Sequence, residues 1–182
     1  MRTQAGSFGN QDKPREVHDF YKTPEWATQA LVDRFHITGN VWEPACGDGA
    51  ISKVLEANGL QVSSSDLIDR GYGDTGVNFL ECDSTYEADW IITNPPFGLA
   101  DEFVRHAMGI ATEGVIMLVR WNWLCAKRRA DLLVSLDWAL VLGRVKMLPP
   151  GAEDLGKNPM SDFAWCAWNV DGGYSRCALE RY

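Results

Sequence analysis

The sequence predicts an α/β domain in which a largely parallel sheet carries helices on both faces. Two observations point there. Short apolar runs of strand length alternate, along most of the chain, with stretches whose apolar residues recur at helical spacing. Polar, acidic and glycine-containing segments stand directly after several of those runs, at the carboxyl edge where such sheets bind ligands. With 182 residues, 46% of them hydrophobic, the chain fits one domain with a substantial core.

Residues 1 to 16, rich in Gly, Gln, Ser and Asn without apolar periodicity, predict a flexible tail, and residues 17 to 182 a single domain. A first strand begins at Val41. It leads through a turn with two glycines, Gly47 and Gly49, into a helix that runs through Ile51, Val54 and Leu55 and stops near Asn58-Gly59. Leu60 to Ser65 is the second strand and ends at Asp66; Val77 to Glu81 is the third, followed by Cys82-Asp83. Asp89 to Thr93 is the fourth. Ala100 to Ala111 reads as a helix with Phe103, Val104, Ala107 and Met108 on one face, followed by a fifth strand, Gly114 to Arg120. A helix over Ala126 to Leu136, a sixth strand over Trp138 to Leu142 and a seventh over Phe163 to Trp168 complete the pattern. Met147 to Met160, with Pro149, Pro150 and Pro159, is a long loop near the active edge and a candidate substrate lid.

Chemistry is most legible after the fourth strand, where Asn94-Pro95-Pro96-Phe97 stands at the end of a buried run. Two prolines fix φ, remove two backbone donors and hold the residues before them extended. The Pro95 carbonyl and the Asn94 amide then offer two acceptors beside the flat apolar face of Phe97, a set suited to an exocyclic amine and the ring that bears it. The turn at Gly47 and Gly49 lets backbone approach a ligand, although position 52, where the dinucleotide fingerprint has a third glycine, is Ser52. Asp66 stands where α/β sheets bind the ribose of a nucleoside cofactor.

Taken in order, Tyr21-Lys22-Thr23-Pro24, Glu43-Pro44-Ala45-Cys46-Gly47-Asp48-Gly49, Asp66, Cys82-Asp83 and Asn94-Pro95-Pro96-Phe97 resemble the motifs of class I S-adenosylmethionine-dependent methyltransferases that modify exocyclic amines. The nearest resemblance is to small phage-type DNA adenine-N6 methyltransferases, and it spans residues 18 to 170. It implies a Rossmann-like, seven-stranded, mostly parallel sheet whose last strand inserts antiparallel. It also implies S-adenosyl-L-methionine as cofactor, with Tyr21, Thr23 and Pro24 against its methionine end and Glu43, Ala45, Gly47 and Gly49 in the loop beneath. By the same resemblance Asp66 takes the ribose hydroxyls, Leu67 or Ile68 packs on the cofactor's adenine, and Asp83 holds that adenine's amino group. Asn94 and Pro95 orient the target amine, with Pro96 stiffening the loop, and Phe97 stacks on an extruded base. The stretches from Asp66 to Val77 and from Asp83 to Trp90 are too short for the helices of the usual pattern.

The activity expected is therefore methyl transfer to adenine N6 in DNA. The alternatives are the same chemistry on RNA adenine, cytosine N4 or a protein glutamine, or a silent methyltransferase-like subunit. A net charge of −8 opposes a nucleic-acid partner unless basic residues cluster, and Lys127, Arg128 and Arg129 are the candidates, with Trp121 and Trp123 as walls of a base pocket. Little chain remains for a separate target-recognition domain. Five scattered cysteines without a Cys-x-x-Cys pair predict reduced thiols in the cytoplasm, and three separated histidines predict no metal site. Neither a membrane span nor the apolar core of a signal peptide is expected.

Overall fold

The structure, a computed structural model, describes residues 20–83, 86–147, 161–170 and 178–182. Eight strands form one sheet: β1 (Asn40–Glu43), β2 (Gln61–Asp66), β3 (Asp74–Thr75), β4 (Trp90–Thr93), β5 (Gly114–Arg120), β6 (Trp138–Val145), β7 (Ser161–Asn169) and β8 (Ala178–Arg181). Their spatial order is β3-β2-β1-β4-β5-β7-β6-β8. From β3 to β5 every pairing is parallel, and β7 runs antiparallel between β5 and β6, as expected of the last predicted strand.

Two apolar layers sandwich the sheet because its central strands bury both faces. On β5, Val115, Met117 and Val119 pack with helix α3 (Ala100–Met108) on one side. Ile116 and Leu118 pack with α1 (Glu25–Arg34) and α2 (Ser52–Ala57) on the other. Six of the eight tryptophans are buried in these layers. Three of their indole N–H groups are satisfied inside the core: Trp42 donates to Ser65 Oγ at 2.9 Å, Trp165 to the Ala27 carbonyl at 2.7 Å and Trp168 to the Leu132 carbonyl at 2.8 Å.

The expected sheet needs three corrections. The segment read as a third strand, Val77 to Glu81, holds a 3-10 turn over Phe79–Glu81, because the Asn78 side chain accepts the Leu80 amide and Phe79 turns into the core. The third strand is instead the short pair Asp74–Thr75. An eighth strand, β8, lies parallel to β6 with no apolar alternation to announce it. Among the helices, Ala126 to Leu136 divides into a 3-10 turn (Lys127–Arg129) and α5 (Ala130–Val134), with the break where Arg129 turns inward. A further short helix, α4, covers Trp121–Leu124. The lid expected at Met147 to Met160 and the tail expected at 1 to 16 lie, but for Met147, outside the described residues.

Candidate active site

Strand β4 delivers its last residue to the sheet's carboxyl edge, and Asn94 follows at once. The loop is short: the Pro96 carbonyl accepts the Leu99 amide at 2.9 Å, closing a turn into α3. The Asn94 NH2 is anchored, donating to the Tyr21 carbonyl at 3.3 Å and to Thr23 Oγ1 at 3.2 Å. That anchoring orients the other end of the amide. Asn94 Oδ1 is buried and has no hydrogen-bond partner, an arrangement that costs about 1–3 kcal/mol unless something donates to it. The next acceptor along, the Pro95 carbonyl, takes no backbone hydrogen bond among the described residues.

Phe97 is stacked. Its ring lies 5.3 Å from that of Tyr21 at 18°, and the Arg120 guanidinium sits 4.3 Å from its centroid. A flat ligand stacking where the guanidinium lies must displace it. The exchange is cheap, because an exposed cation–π contact is worth about 0.5–1 kcal/mol.

On one side of the loop lies a cleft of ≈ 380 Å³. Of the residues singled out in the sequence, Tyr21, Thr23, Glu43, Ala45, Asp66, Leu67, Asn94 and Pro96 line it, together with Ile68. Its floor is the turn between β1 and α2. Asp66 braces that turn, its carboxylate accepting the Gly47 amide at 2.8 Å and the Ile68 amide at 2.9 Å. Each carboxylate oxygen keeps a second lone-pair site for a further donor. Glu43 is 1% exposed and accepts from the Ser52 amide at 2.8 Å and from the Ser52 hydroxyl. Burial pushes its pKa up to about 8 against the lowering pull of Ser52, so near neutral pH the folded chain holds it largely protonated. Burial likewise pushes the Cys46 thiol up to about 12, which leaves it unreactive.

Four sequence-derived residues stand elsewhere. Gly47 (φ 57°) and Gly49 (φ 78°) belong to the turn but do not line the cleft. An added Cβ would meet Phe20 Cε2 at 2.1 Å and the Tyr72 ring at 2.6 Å, so aromatic side chains fill the space beside these glycines. Pro24 caps α1 and is off the lining. Asp83 is exposed and off the lining, while Asn78 and Leu80 are on it, because the 3-10 turn carries the chain past the cleft before residue 83.

Asp48 is a lining residue that the motif reading overlooked. Its Oδ2 pairs with Lys22 Nζ at 2.9 Å, and its Oδ1 is buried without a partner. The only signal was an acid between two glycines.

The loop's other side borders a smaller hollow of ≈ 250 Å³, with Pro95 and Phe97 on its wall. Among the residues expected to contact nucleic acid, Trp123 and Arg129 line this hollow and are buried. Lys127 and Arg128 are exposed, and Trp121 packs half-buried on the core. Arg129 is thus no surface cation: it donates to Asp101 through Nε and to the Trp123 carbonyl through Nη1 at 2.6 Å.

No family model and no curated protein matches the chain. Solved structures do. A protein assigned as an RNA methyltransferase from Pyrococcus horikoshii is similar over 87% of this chain and 90% of its own, with a TM-score of 0.64 and 16% identity. The 23S rRNA methyltransferase ErmE is similar over 82% of this chain and 69% of its own, with a TM-score of 0.55 and 18% identity. A protein assigned as the modification subunit of a type I restriction enzyme from Vibrio vulnificus covers 89% of this chain at a TM-score of 0.56 and 14% identity, and here the chain spans 46% of the other's length. At such identities the likeness is one of fold: this chain has the Rossmann-like architecture of those methyltransferases.

Proposed function

We propose that this chain transfers a methyl group from S-adenosylmethionine to an exocyclic amine, and that the amine is N6 of adenine in DNA. The observation that carries the reading is Asn94 Oδ1, an anchored, buried acceptor without a donor, on a loop with a hollow on either side. Asn94 and Pro95 would take the two N–H groups of the target. An aromatic amine is a weak nucleophile because its lone pair is shared with the ring, so holding it in one orientation is the contribution such a site can make, worth several kcal/mol.

The cleft suits the cofactor. An unpartnered buried acceptor on Asp48, with the Asp66 carboxylate close by, suits a ligand that bears an ammonium and a sulfonium, and the half-exposed Leu67 with Ile68 offers apolar cover for a flat ring. When bound, the donor supplies a methyl carbon made electrophilic by positive sulfur. The chain's own residues position the acceptor nitrogen, exclude water with Tyr21 and Phe97, and leave the amine's proton to depart to solvent, since neither an amide nor a peptide carbonyl is basic enough to keep it.

RNA is the second reading, favoured by the fold shared with two RNA methyltransferases. Protein incubated with isotopically labelled donor and, in separate reactions, DNA, RNA or protein should move label into DNA. Asn94→Ala should abolish that transfer while donor affinity, read by calorimetry, stays within a few-fold. Label entering none of the three polymers, or full turnover by Asn94→Ala, would refute the proposal.

A further inference from the structure

We infer that the hollow behind Asn94-Pro95-Pro96-Phe97 is an oxyanion subsite, and that the molecule methylated is held there by a phosphate group, through Trp123 and Arg129. The inference rests on the amine-methylating reading for the identity of the molecule, but not for the presence of the subsite.

Both side chains line the hollow and both are over nine-tenths buried, at 8% exposure each. Trp123 Nε1 has no hydrogen-bond partner, in contrast to the indoles of Trp42, Trp165 and Trp168, which are all satisfied inside the core. Arg129 is clamped by Asp101 on Nε and by the Trp123 carbonyl on Nη1, and its guanidinium lies 4.5 Å from the Trp123 ring centroid. Its Nη2 has no partner among the described residues. The Trp123 indole is a buried donor left without an acceptor beside a held guanidinium, and both groups can only donate.

Charge decides what kind of acceptor. Arg120 and Arg129 line the hollow with no carboxylate beside them in the lining, and Asp101, which pairs with Arg129 through one oxygen, has the other taken by Arg128 at 3.1 Å. The balance of the hollow's lining is positive. A net charge of −8 conceals this local excess of cations, which places an attraction for anions where the amine must arrive. Arg120 adds an exposed cation. Its contact is with the Phe97 ring, so a base stacking on Phe97 frees it to turn to the phosphate.

The probes are 2′-deoxyadenosine 5′-monophosphate, 2′-deoxyadenosine and inorganic phosphate, added to the full chain labelled with nitrogen-15. The eight indole N–H resonances are assigned by intraresidue correlation in the wild-type protein, so no variant has to fold. The Trp123 resonance should move saturably with the monophosphate and stay within noise with the nucleoside. Trp123→Phe, which keeps the ring and deletes the donor, should weaken the monophosphate about ten-fold and leave S-adenosylmethionine affinity unchanged.

A Trp123 resonance that ignores the monophosphate, or that moves as far with the nucleoside, overturns the inference. So does inorganic phosphate binding as tightly as the nucleotide, which would leave an adventitious ion only. If the resonance responds as expected while DNA and RNA stay unlabelled in the transfer assay, the catalytic reading fails and the subsite stands.

Discussion

At the scale of single residues, the site is built from groups whose neighbours have already chosen their orientation. Asn94 can present Oδ1 because Tyr21 and Thr23 occupy its NH2, and those two residues lie more than seventy positions away in sequence. Gly47 works differently. It holds φ 57°, and the space where a side chain would stand is filled by Phe20. Gly47→Ala should therefore lose about 1–2 kcal/mol from the left-handed backbone alone, with displacement of Phe20 added to it. The measurement is thermal unfolding, where about 2–4 °C is expected per kcal/mol for a chain of this length. A wild-type Tm would show that the turn relaxes without strain. The motif Asn-Pro-Pro-Phe was readable because its residue types are rare in combination. The unpaired states of Asn94 Oδ1 and Asp48 Oδ1 were not readable, since a missing partner is a property of the assembled surroundings.

At the scale of elements, the joint between β1 and α2 is held by one carboxyl. Glu43 ends the strand and accepts from Ser52, the first residue of the helix, so strand end and helix start share a buried hydrogen bond. Burial raises the folded-state pKa of Glu43 from 4.5 to about 8. The sign follows from proton counting. Between those values the folded chain holds a proton that the unfolded chain has lost, so the contribution is complete below pH 4.5 and is lost as pH rises through about 8. Glu43→Gln keeps an acceptor for Ser52 and removes the ionisation. Its ligand-free Tm should fall less than that of the wild type across this window, and parallel curves would refute the assignment. Element type was legible where apolar periodicity is strong, as in β5 and α3. It failed at Phe79–Glu81, where a side-chain cap competes with strand pairing, and at α1, whose buried face of Ala27, Thr28, Ala30 and Leu31 gives a weak pattern.

At the scale of the whole molecule, the carboxyl edges of β1, β2 and β4 converge on one cleft, and residues 20–23, which lead into α1, line it as well. A donor that contacts all of these should tie them together. S-adenosylmethionine at one hundred times its dissociation constant stabilises by about 2.7 kcal/mol, a Tm rise of roughly 5–10 °C. Differential scanning fluorimetry reads this directly, and a flat response up to millimolar donor would exclude the proposed cofactor. Among the described residues no helix is long and apolar enough to cross a membrane.

Order along the chain was enough to determine an α/β sheet, the antiparallel insertion of β7 implied by family resemblance, and the loop proposed to carry the chemistry. Local periodicity and rare residue combinations are written in one dimension. Tertiary structure alone decided that Arg129 points inward, that Gly47 and Gly49 shelter aromatic rings, and that Asp83 stands clear of the cleft. Burial and pairing depend on which distant segments meet, and that is settled only when the sheet closes over its two cores.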